Sequence, residues 1–259
     1  MKKFTKLTAF ALALVMALGL LAGCGSSNSD NSTPSGDDTA KTKLVVATSP
    51  DFPPFESLEG GEVVGIEVDI LNKIAEKMGM ELDIQQMDFD SVIPGVQAGK
   101  FDVGMSGITV TDKRKENVDF SSVYFMAAQA IVVTADSGIT GKADLEGKKV
   151  SVQTGTTAEE YCMANGYEVL AFTANNDAAA ALTAGKVDAW VVDNEVALAM
   201  APELGLTVLD EAMTSEPYAF AFQKGSELVV PFNEALDALL ADGTVEKIFQ
   251  QYGVTYIAP

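Results

Sequence analysis

The sequence contains no histidine and only two cysteines, Cys24 and Cys162. Without histidine, Ser-His-Asp and Cys-His catalysis is impossible and most zinc sites lose a principal ligand. Cys24 follows an apolar N-terminal segment and is expected to be modified, which leaves Cys162 as the one thiol of the folded part. We therefore expect no internal disulfide and no metal cluster. These absences exclude most hydrolase chemistry, and we expect neither a metal nor a cofactor. Cys162 falls in a helical stretch, where we expect a small core residue.

Cationic residues are scarce, since 17 Lys and Arg stand against 37 Asp and Glu. Removal of the three lysines of the N-terminal segment leaves 14 cations and a net charge near −23. Such a surface repels nucleic acid and anionic lipid and favours solubility. We therefore expect a protein that binds neither DNA nor RNA.

The one long apolar run lies at the N-terminus, where three lysines precede the segment from Leu7 to Leu21. The run has about 15 residues, whereas a membrane span needs about 20. The pattern is typical of a secretory signal peptide over residues 1–23. The segment Leu21-Ala22-Gly23-Cys24 resembles the lipobox of bacterial lipoproteins. That resemblance implies cleavage before Cys24, with lipid (palmitate) on its thiol and lipid on the new amino terminus.

Residues 24–43 comprise the proposed lipidation site and a polar stretch of Gly, Ser, Asn, Asp and Thr that could bury almost nothing. This composition predicts a flexible tether with a reach on the order of 25 Å. We therefore expect the folded part to lie at the extracytoplasmic face of the cell membrane, attached by its N-terminal lipid only.

From about residue 44, apolar strand-like runs alternate with segments of helical period, as in α/β proteins with mostly parallel sheets. We expect the loop 48–56, with its prolines, to lack regular structure. Thr157 begins a Ser/Thr-x-x-Glu capping box and should cap the helix that follows. The predicted strands are 44–47, 81–85, 101–105, 130–133, 149–153 and 218–222, and the predicted helices are 66–78, 91–98, a helix from 158, 228–241 and 244–252.

A five-residue sequence occurs twice, as Ala98-Gly99-Lys100-Phe101-Asp102 and as Ala184-Gly185-Lys186-Val187-Asp188. Each copy lies between a predicted helix and a predicted strand, which indicates two similar lobes. Lobe 1 is expected to comprise 44–128 plus 219–259, and lobe 2 to comprise 129–218, with two crossings between them. Ligands of open α/β sheets bind beyond the carboxyl ends of the strands. The segment Ser106–Arg114 and the residue Asp193 should therefore face one cleft.

The segment from Met105 to Arg114 runs from an apolar strand, through hydroxylated residues and a glycine, to a helix start capped by Thr111. Lys113 and Lys115 flank Arg114 there. Cations in a first helical turn oppose the helix dipole by roughly 0.3–1 kcal/mol each. A bound anion would offset this cost, and the guanidinium group suits a carboxylate. The alternative is a solvated run of charges at a helix start.

Six motifs in order extend over nearly all of the chain after the tether. They are Asp51-Phe52-Pro53-Pro54-Phe55-Glu56, Gly65-Ile66-Glu67-Val68-Asp69, Ser106–Arg114, Val118-Asp119-Phe120-Ser121, Val152–Thr157 and Asp242-Gly243-Thr244. Together they resemble the solute-binding proteins of polar amino-acid ABC importers, bacterial extracellular solute-binding proteins of family 3, in lipoprotein form. The resemblance implies a two-lobed α/β fold of the periplasmic-binding-protein type II, each lobe a mostly parallel sheet flanked by helices.

By this resemblance, Arg114 would hold the ligand α-carboxylate bidentately, with help from Thr109 and from the amide of Thr157. Asp193 would accept the α-ammonium group, together with oxygen atoms of Ser106 or Gly107. Each end of a zwitterion needs a charge-assisted partner once water leaves. The alternative for Asp193 is a role only as the N-cap of the next helix.

Phe52 and Phe89 match positions where this family places aromatic rings around the ligand side chain, although both could be loop or core residues. Members that bind cationic amino acids carry an aspartate in the first loop where this chain has Ser49. A neutral polar amino acid or cystine is therefore as well supported as lysine or arginine. Three acidic residues could supply the missing charge: Asp51, Glu67 and Asp88.

The sequence thus predicts a monomeric, non-enzymatic receptor that captures an amino acid between closing lobes and delivers it to the permease subunits of an ABC importer. One alternative is an enzyme like cyclohexadienyl dehydratase on the same scaffold, for which Glu67 is the nearest candidate acid or base. Another is a sensory domain, although such domains usually lead into a membrane helix, which the sequence up to Pro259 lacks.

Overall fold

The computed structural model describes residues 42–259. The predicted signal peptide, the predicted lipidation site Cys24 and most of the predicted tether lie outside this range. Within it, no helix is both long and apolar enough to cross a bilayer.

Strands and helices alternate along the described range. The strands are β1 (Lys43–Thr48), β2 (Asp51–Phe52), β3 (Glu56–Glu59), β4 (Glu62–Val64), β5 (Glu81–Gln86), β6 (Val103–Gly104), β7 (Val118–Phe120), β8 (Phe125–Ala127), β9 (Gln129–Val133), β10 (Lys149–Gln153), β11 (Glu168–Phe172), β12 (Ala189–Asp193), β13 (Thr207–Val208), β14 (Glu216–Tyr218) and β15 (Ala221–Gln223). The α-helices are α1 (Ile66–Met78), α2 (Phe89–Gln97), α3 (Asp112–Lys115), α4 (Thr157–Ala164), α5 (Asn175–Thr183), α6 (Asn194–Met200), α7 (Val229–Ala241) and α8 (Thr244–Gln251).

Two five-stranded sheets share one pattern. The first has the order β5-β1-β6-β15-β7 and the second the order β11-β10-β12-β9-β13. In each sheet the first three strands are parallel, the fourth is antiparallel to both of its neighbours, and the fifth runs with the first three. The chain thus forms the two mostly parallel sheets expected of a two-lobed α/β protein. Helices pack against both sheets and bury the apolar cores.

The repeated pentapeptides occupy equivalent places in the two sheets. Each follows a helix, α2 or α5, and precedes a central strand, β6 or β12. In the first copy the Asp102 carboxylate accepts a hydrogen bond of 2.8 Å from the backbone N–H of Val45, and in the second the Asp188 carboxylate accepts one of 2.8 Å from Lys149. The internal repeat read from the sequence is therefore a repeat of local structure.

Helix α1 forms where the sequence predicts it. Ile66, Ile70 and Ile74 recur at helical spacing and are fully buried, and each such side chain contributes about 1.5–3 kcal/mol by burial. The helix ends at Gly79, whose φ of 67° is the left-handed conformation that glycine adopts most readily. Cys162 also lies as expected, fully buried in α4.

The expectation that residues 48–56 lack regular structure is wrong. β2, β3 and β4 form a small antiparallel sheet that begins at Asp51. Gly60 and Gly61, with φ of 60° and 93°, make the two-residue turn between β3 and β4. Positive φ at both turn positions is the geometry that tight hairpins favour, and the prolines at 53 and 54 lie between paired strands rather than within them.

Two short antiparallel strands connect the sheets. β8 leads from the first sheet toward β9 of the second, and β14 returns toward β15 of the first. They pair with each other, Phe125 opposite Tyr218 and Ala127 opposite Glu216. The single strand expected over 218–222 is therefore two strands, because the chain leaves β14 at Tyr218 and joins the first sheet only at Ala221.

Candidate functional site

A cavity with about 350 Å³ of empty space lies where the carboxyl ends of central strands from both sheets meet. Its lining is Phe52, Phe89, Ser106, Gly107, Thr109, Arg114, Gln153, Thr156, Thr157, Ala158, Asn175, Val191, Val192 and Asp193. Eight of the nine ligand-binding residues predicted from the sequence are in this set.

Arg114 contributes the cationic group of the cavity. Its Nη1 donates to the carbonyl oxygen of Thr109 at 2.9 Å, and its Nη2 donates to that of Gly155, in the loop after β10, at 3.1 Å. The guanidinium carbon lies 5.6 Å from the centroid of the Phe89 ring, a cation–π contact. These contacts fix the guanidinium plane and leave N–H donors for a ligand, since the group has five.

No carboxylate of the described residues forms an ion pair with Arg114. Every ion pair within residues 42–259 is made by a lysine. Burial lowers the pKa of Arg114, while the charges of Glu160, Glu216 and Asp193 act in the opposite direction. Because an arginine stays charged in proteins, the cavity presents a partly desolvated cation that has carbonyl partners but no counter-ion in the described part of the chain.

Thr111 caps α3 as expected, and its Oγ1 accepts a hydrogen bond from the backbone N–H of Arg114 at 3.1 Å. The argument from the helix dipole is wrong, however. α3 is a single turn from Asp112 to Lys115, so the three cations lie as near its C-terminus as its N-terminus. Lys113 and Lys115 pair with acidic residues at the surface. The anion-binding argument therefore depends on Arg114 alone.

The helix start on the opposite side of the cavity is displaced by one residue from the prediction. Thr156, not Thr157, is the N-cap of α4, and its Oγ1 accepts from the backbone N–H of Glu159 at 3.2 Å. The Glu159 carboxylate in turn accepts a hydrogen bond of 2.7 Å from the backbone N–H of Gly155. The Thr157 hydroxyl is thereby released from capping, and it accepts from Gln129 Nε2 at 3.3 Å beside the cavity.

Asp193 is the acidic residue of the cavity. It occupies the N-cap position of α6, but its side chain makes no capping hydrogen bond. Instead, Oδ1 accepts from Gln129 Nε2 and Oδ2 accepts from the Tyr218 hydroxyl. Burial raises the pKa of Asp193 to about 8, and the nearby Glu216 acts in the same direction. Each carboxylate oxygen can still accept a further hydrogen bond, because each has two lone pairs.

The Ser106–Gly107 loop follows β6 at the cavity wall. The Ser106 hydroxyl accepts from the backbone N–H of Ser49 at 3.2 Å and donates to Glu56 Oε1 at 3.0 Å, and the Gly107 N–H donates to Glu67 Oε2 at 2.9 Å. Gly107 has a φ of 52°, and an added Cβ would overlap the Phe52 ring. Only glycine fits this position without displacing Phe52.

Phe52 and Phe89 form the apolar part of the wall, and each is nearly buried, with 8% and 9% of its surface exposed. Phe52 packs on Gly107 and lies 5.7 Å, ring to ring, from Phe55. Phe89 lies under Arg114 at the start of α2. Both rings therefore belong to the cavity and also have structural contacts of their own.

Ser49 is the predicted ligand-binding residue that does not line the cavity. Its hydroxyl donates to Asp51 Oδ1 at 2.9 Å. Asp51 in turn reaches the second sheet, where its carboxylate accepts from Gln153 Nε2 at 3.2 Å and from the backbone N–H of Asn175 at 2.7 Å. Asp88, also considered as a source of charge, is exposed at the N-terminus of α2.

Sequence reasoning did not single out several residues of the cavity and its surroundings. Gln153 stands in a quoted motif at a strand end, which was a usable signal. The partners of Asp193 gave no signal, since Gln129 precedes the apolar strand predicted over 130–133 and Tyr218 has the character of a core residue. The other omitted cavity residues are Thr156, Ala158, Asn175, Val191 and Val192.

Glu67, the candidate acid or base of the enzymatic alternative, is fully buried and does not line the cavity. Its Oε2 accepts from Gly107 and its Oε1 accepts from the Tyr124 hydroxyl. Both oxygens therefore already have protein donors on the far side of the Ser106–Gly107 loop.

The chain is similar to known proteins over nearly all of its described length. The family model of the bacterial extracellular solute-binding proteins, family 3, matches residues 44–255. The arginine-binding extracellular protein ArtP of Bacillus subtilis (strain 168) is 36% identical over 240 residues, which cover 90% of this chain and 92% of that protein. The ABC transporter glutamine-binding protein GlnH of the same organism is 33% identical over 264 residues, covering 95% and 97% of the two chains.

Among solved structures, an ancestral arginine-binding protein bound to glutamine superimposes with a TM-score of 0.77. It is 41% identical in sequence, and the match covers 82% of this chain and 98% of that chain. The likeness therefore includes the fold as well as the sequence.

Proposed function

Because the chain belongs to the bacterial extracellular solute-binding proteins, family 3, we propose that it captures a polar amino acid in this cavity and delivers it to an ABC importer. The observation that carries the proposal is a cationic and an acidic side chain in one cavity. Arg114 has no carboxylate partner among residues 42–259, and Asp193 is buried at the same cavity. An amino acid presents one anion and one cation and matches both.

The ligand carboxylate is held by Arg114. Two of the guanidinium donors are used by the carbonyl groups of Thr109 and Gly155, which keeps the remaining donors turned to the cavity. The backbone N–H of Thr157 is an additional donor, since it belongs to the first turn of α4 and has no partner four residues back in that helix. A carboxylate there also gains from the positive end of the α4 dipole.

The ligand ammonium group is held by Asp193, with the Ser106 hydroxyl and the Ser106 or Gly107 carbonyl group as neutral acceptors. Gln129 and Tyr218 orient the Asp193 carboxylate, and ionisation of Asp193 accompanies the arrival of the cation. A buried ion pair of this kind is strongly favoured only when both partners are present, and removal of one costs about 3–5 kcal/mol.

The ligand side chain lies between Phe52 and Phe89 and points toward the amide groups of Gln153 and Asn175. Aromatic faces accept both aliphatic chains and cations, and the two amides supply donors and acceptors. This lining favours a polar side chain. The relatives named above bind arginine or glutamine, and both amino acids fit this description.

Capture requires closure of two lobes, which we assign to 44–128 plus 219–259 and to 129–218. β8 and β14 are the two crossings. In the present structure the lobes are joined by hydrogen bonds from Arg114 to Gly155 and from Asn175 to Asp51, and by the ion pair of Lys113 with Glu160. A ligand that contacts Arg114 on one side and Asp193 on the other favours the closed form.

Delivery to a permease requires the receptor to stay near the membrane. Lipidation of Cys24 and a tether over residues 24–43 accomplish this at the extracytoplasmic face. No covalent chemistry takes place in the cavity, and the buried position of Glu67 supports this non-enzymatic role.

A thermal-shift screen of residues 25–259 against the twenty amino acids and cystine tests the proposal. A ligand at 100 times its dissociation constant stabilises the native state by about 2.7 kcal/mol. We expect one or a few polar amino acids to raise Tm, and we expect the variant Arg114→Ala to lose the shift while the exposed control Lys115→Ala keeps it. No shift with any of these ligands would contradict the proposal.

A further inference from the structure

We propose that Glu56 and Glu67 share a single proton, and that this carboxyl pair acts as a positioning group for the Ser106–Gly107 loop. The inference rests on the proposed function in one respect, because the loop is assigned there to the ligand ammonium group. The existence of the shared proton does not depend on that assignment.

Both side chains are completely buried, on β3 and in the first turn of α1. Glu56 Oε1 accepts from the Ser106 hydroxyl at 3.0 Å, and Glu67 Oε2 accepts from the Gly107 N–H at 2.9 Å. The two neighbouring residues of the loop are thus each held by one member of the pair. Tyr124 donates its hydroxyl to the remaining oxygen of Glu67.

The hydrogen-bond pattern supports a proton on the pair. Glu56 Oε2 is buried and receives no hydrogen bond from any donor in residues 42–259. Glu56 and Glu67 face each other across the Ser106–Gly107 loop closely enough for the charge of Glu67 to raise the pKa of Glu56, and two ionised carboxylates have only acceptors to offer each other. A proton on Glu56 turns its orphan oxygen into a donor and satisfies the contact. It also removes one of two buried negative charges that would repel each other.

The surroundings of the pair also favour a neutral Glu56 carboxyl group. Burial and the charge of Glu67 raise the pKa of Glu56 well above its ordinary value, and Asp51 acts in the same direction, whereas the Ser106 hydroxyl opposes them. Tyr124 also faces the pair, and burial and the charge of Glu67 raise the pKa of its hydroxyl, so it stays a neutral donor. Glu67 lies in the first turn of α1, where the helix dipole favours its negative charge.

The pair has a consequence for the cavity. The N–H of Gly107 belongs to the planar trans peptide that carries the Ser106 carbonyl group, and the two groups point in opposite directions. When Glu67 accepts the N–H, the Ser106 carbonyl oxygen is turned away from Glu67 and left for a ligand cation. The single negative charge behind the loop adds to the attraction that Asp193 exerts on an ammonium group.

Infrared difference spectroscopy of the ligand-free protein at neutral pH tests for the proton. Glu56→Gln should remove one protonated-carboxyl stretching band that Asp193→Asn leaves in place. If the spectrum of Glu56→Gln retains every such band of the wild type, the shared proton is disproved. If Glu56→Gln fails to fold, the spectrum of Asp193→Asn serves instead. That spectrum should still contain the band of one protonated carboxyl group, and the absence of this band would overturn the proposal equally.

Titration calorimetry with L-arginine and L-glutamine as probes tests the positioning role. Glutamine at position 56 mimics the neutral carboxyl group, so Glu56→Gln should stay within about threefold of the wild-type affinity. Glu56→Ala and Glu67→Gln should each lose tenfold or more. Equal losses in Glu56→Gln and Glu67→Gln would mean that Glu56 is ionised and would refute the pair. A wild-type protein that binds no amino acid would refute the proposed function instead, while the infrared result would still decide on the proton.

Discussion

The Asp51 carboxylate, which follows β1 of the first sheet, accepts a hydrogen bond of 2.7 Å from the backbone N–H of Asn175, the first residue of α5 beside the second sheet. The same carboxylate accepts from Gln153 at the end of β10. A negative charge at a helix N-terminus is favoured by the helix dipole. Asp51 therefore caps a helix of the opposite lobe, and we expect this contact to break when the cleft opens.

Asp51→Ala is expected to weaken ligand affinity with little change in the stability of the separate lobes. A hydrogen bond to a charged group is worth about 1.5–3 kcal/mol, so the loss should be about ten- to a hundredfold. Titration calorimetry measures it, and small-angle scattering of the liganded variant should report a larger radius of gyration. The exposed Asp88→Ala is the matched control, and an equal affinity for both variants would show that the Asp51 contact does not contribute to closure.

Asp193→Asn is expected to weaken binding of the amino acid by about 3–5 kcal/mol, and to weaken binding of the corresponding acid without the amino group far less. The asparagine keeps the size and a hydrogen-bonding oxygen but removes the charge. Competition titration with the two compounds measures the difference. If both lose affinity equally, Asp193 does not contact the ammonium group.

The pH dependence of binding follows from the pKa of Asp193, which burial raises to about 8. The ligand cation needs the ionised carboxylate, so binding below about pH 8 releases a proton, and affinity should rise between about pH 6 and pH 8. Calorimetry in two buffers of different ionisation enthalpy counts the proton, and Asp193→Asn should reduce the count. The stability of the ligand-free protein should have the opposite pH dependence. The contribution of a protonated Asp193 to the free energy of unfolding is complete below its ordinary pKa and is lost as the pH rises through about 8.

Gly107→Ala is expected to cost more stability than Gly138→Ala, although both glycines have positive φ, 52° and 72°. A side chain in the left-handed region costs about 1–2 kcal/mol at either position. At Gly138 nothing lies within 4 Å of an added Cβ, whereas at Gly107 the Phe52 ring occupies the space. Overpacking should add about 1–3 kcal/mol at Gly107. Urea unfolding compares the two, and similar losses would contradict the packing of Phe52 on the loop.

The two adjacent threonines at the start of α4 are expected to respond differently to alanine. Thr156→Ala removes the N-cap and should cost about 0.5–2 kcal/mol of unfolding free energy. Thr157→Ala leaves the cap intact and should mainly reduce ligand affinity. Unfolding and binding measured on both variants test the assignment. A larger stability loss in Thr157→Ala would restore the original interpretation of the capping box.

Much of the fold could be predicted because local signals agree with it. The buried isoleucines and the terminal glycine of α1 fix that helix, and the two pentapeptides reveal the repeat. The short strands β2 and β14 were not predicted, because two or three residues are too few to show a periodicity. The N-cap of α4 was displaced by one residue because both Thr156 and Thr157 fit the pattern, and only the backbone conformation distinguishes them.

The site could be predicted less completely than the fold. Asp193 and the Ser106–Gly107 loop stand at strand ends, where parallel sheets place ligand contacts, and Arg114 follows that loop in the same sequence motif. The contacts that orient them could not be read from the sequence: Gln129 lies opposite Asp193 only because β9 pairs with β12, and Tyr218 reaches Asp193 from β14. Ser49 and Asp51 are two residues apart, and only the fold decides which of them reaches the opposite lobe.

The central claim is that Arg114 binds the carboxylate of a free amino acid. Its most direct test is titration calorimetry of the wild type and of Arg114→Ala with an amino acid that binds the wild type and with the amine obtained from it by loss of the carboxylate. The wild type should prefer the amino acid by about two to four decades, from about 3–5 kcal/mol, and Arg114→Ala should bind both compounds equally weakly. An Arg114→Ala protein that keeps the wild-type affinity and preference would contradict the account.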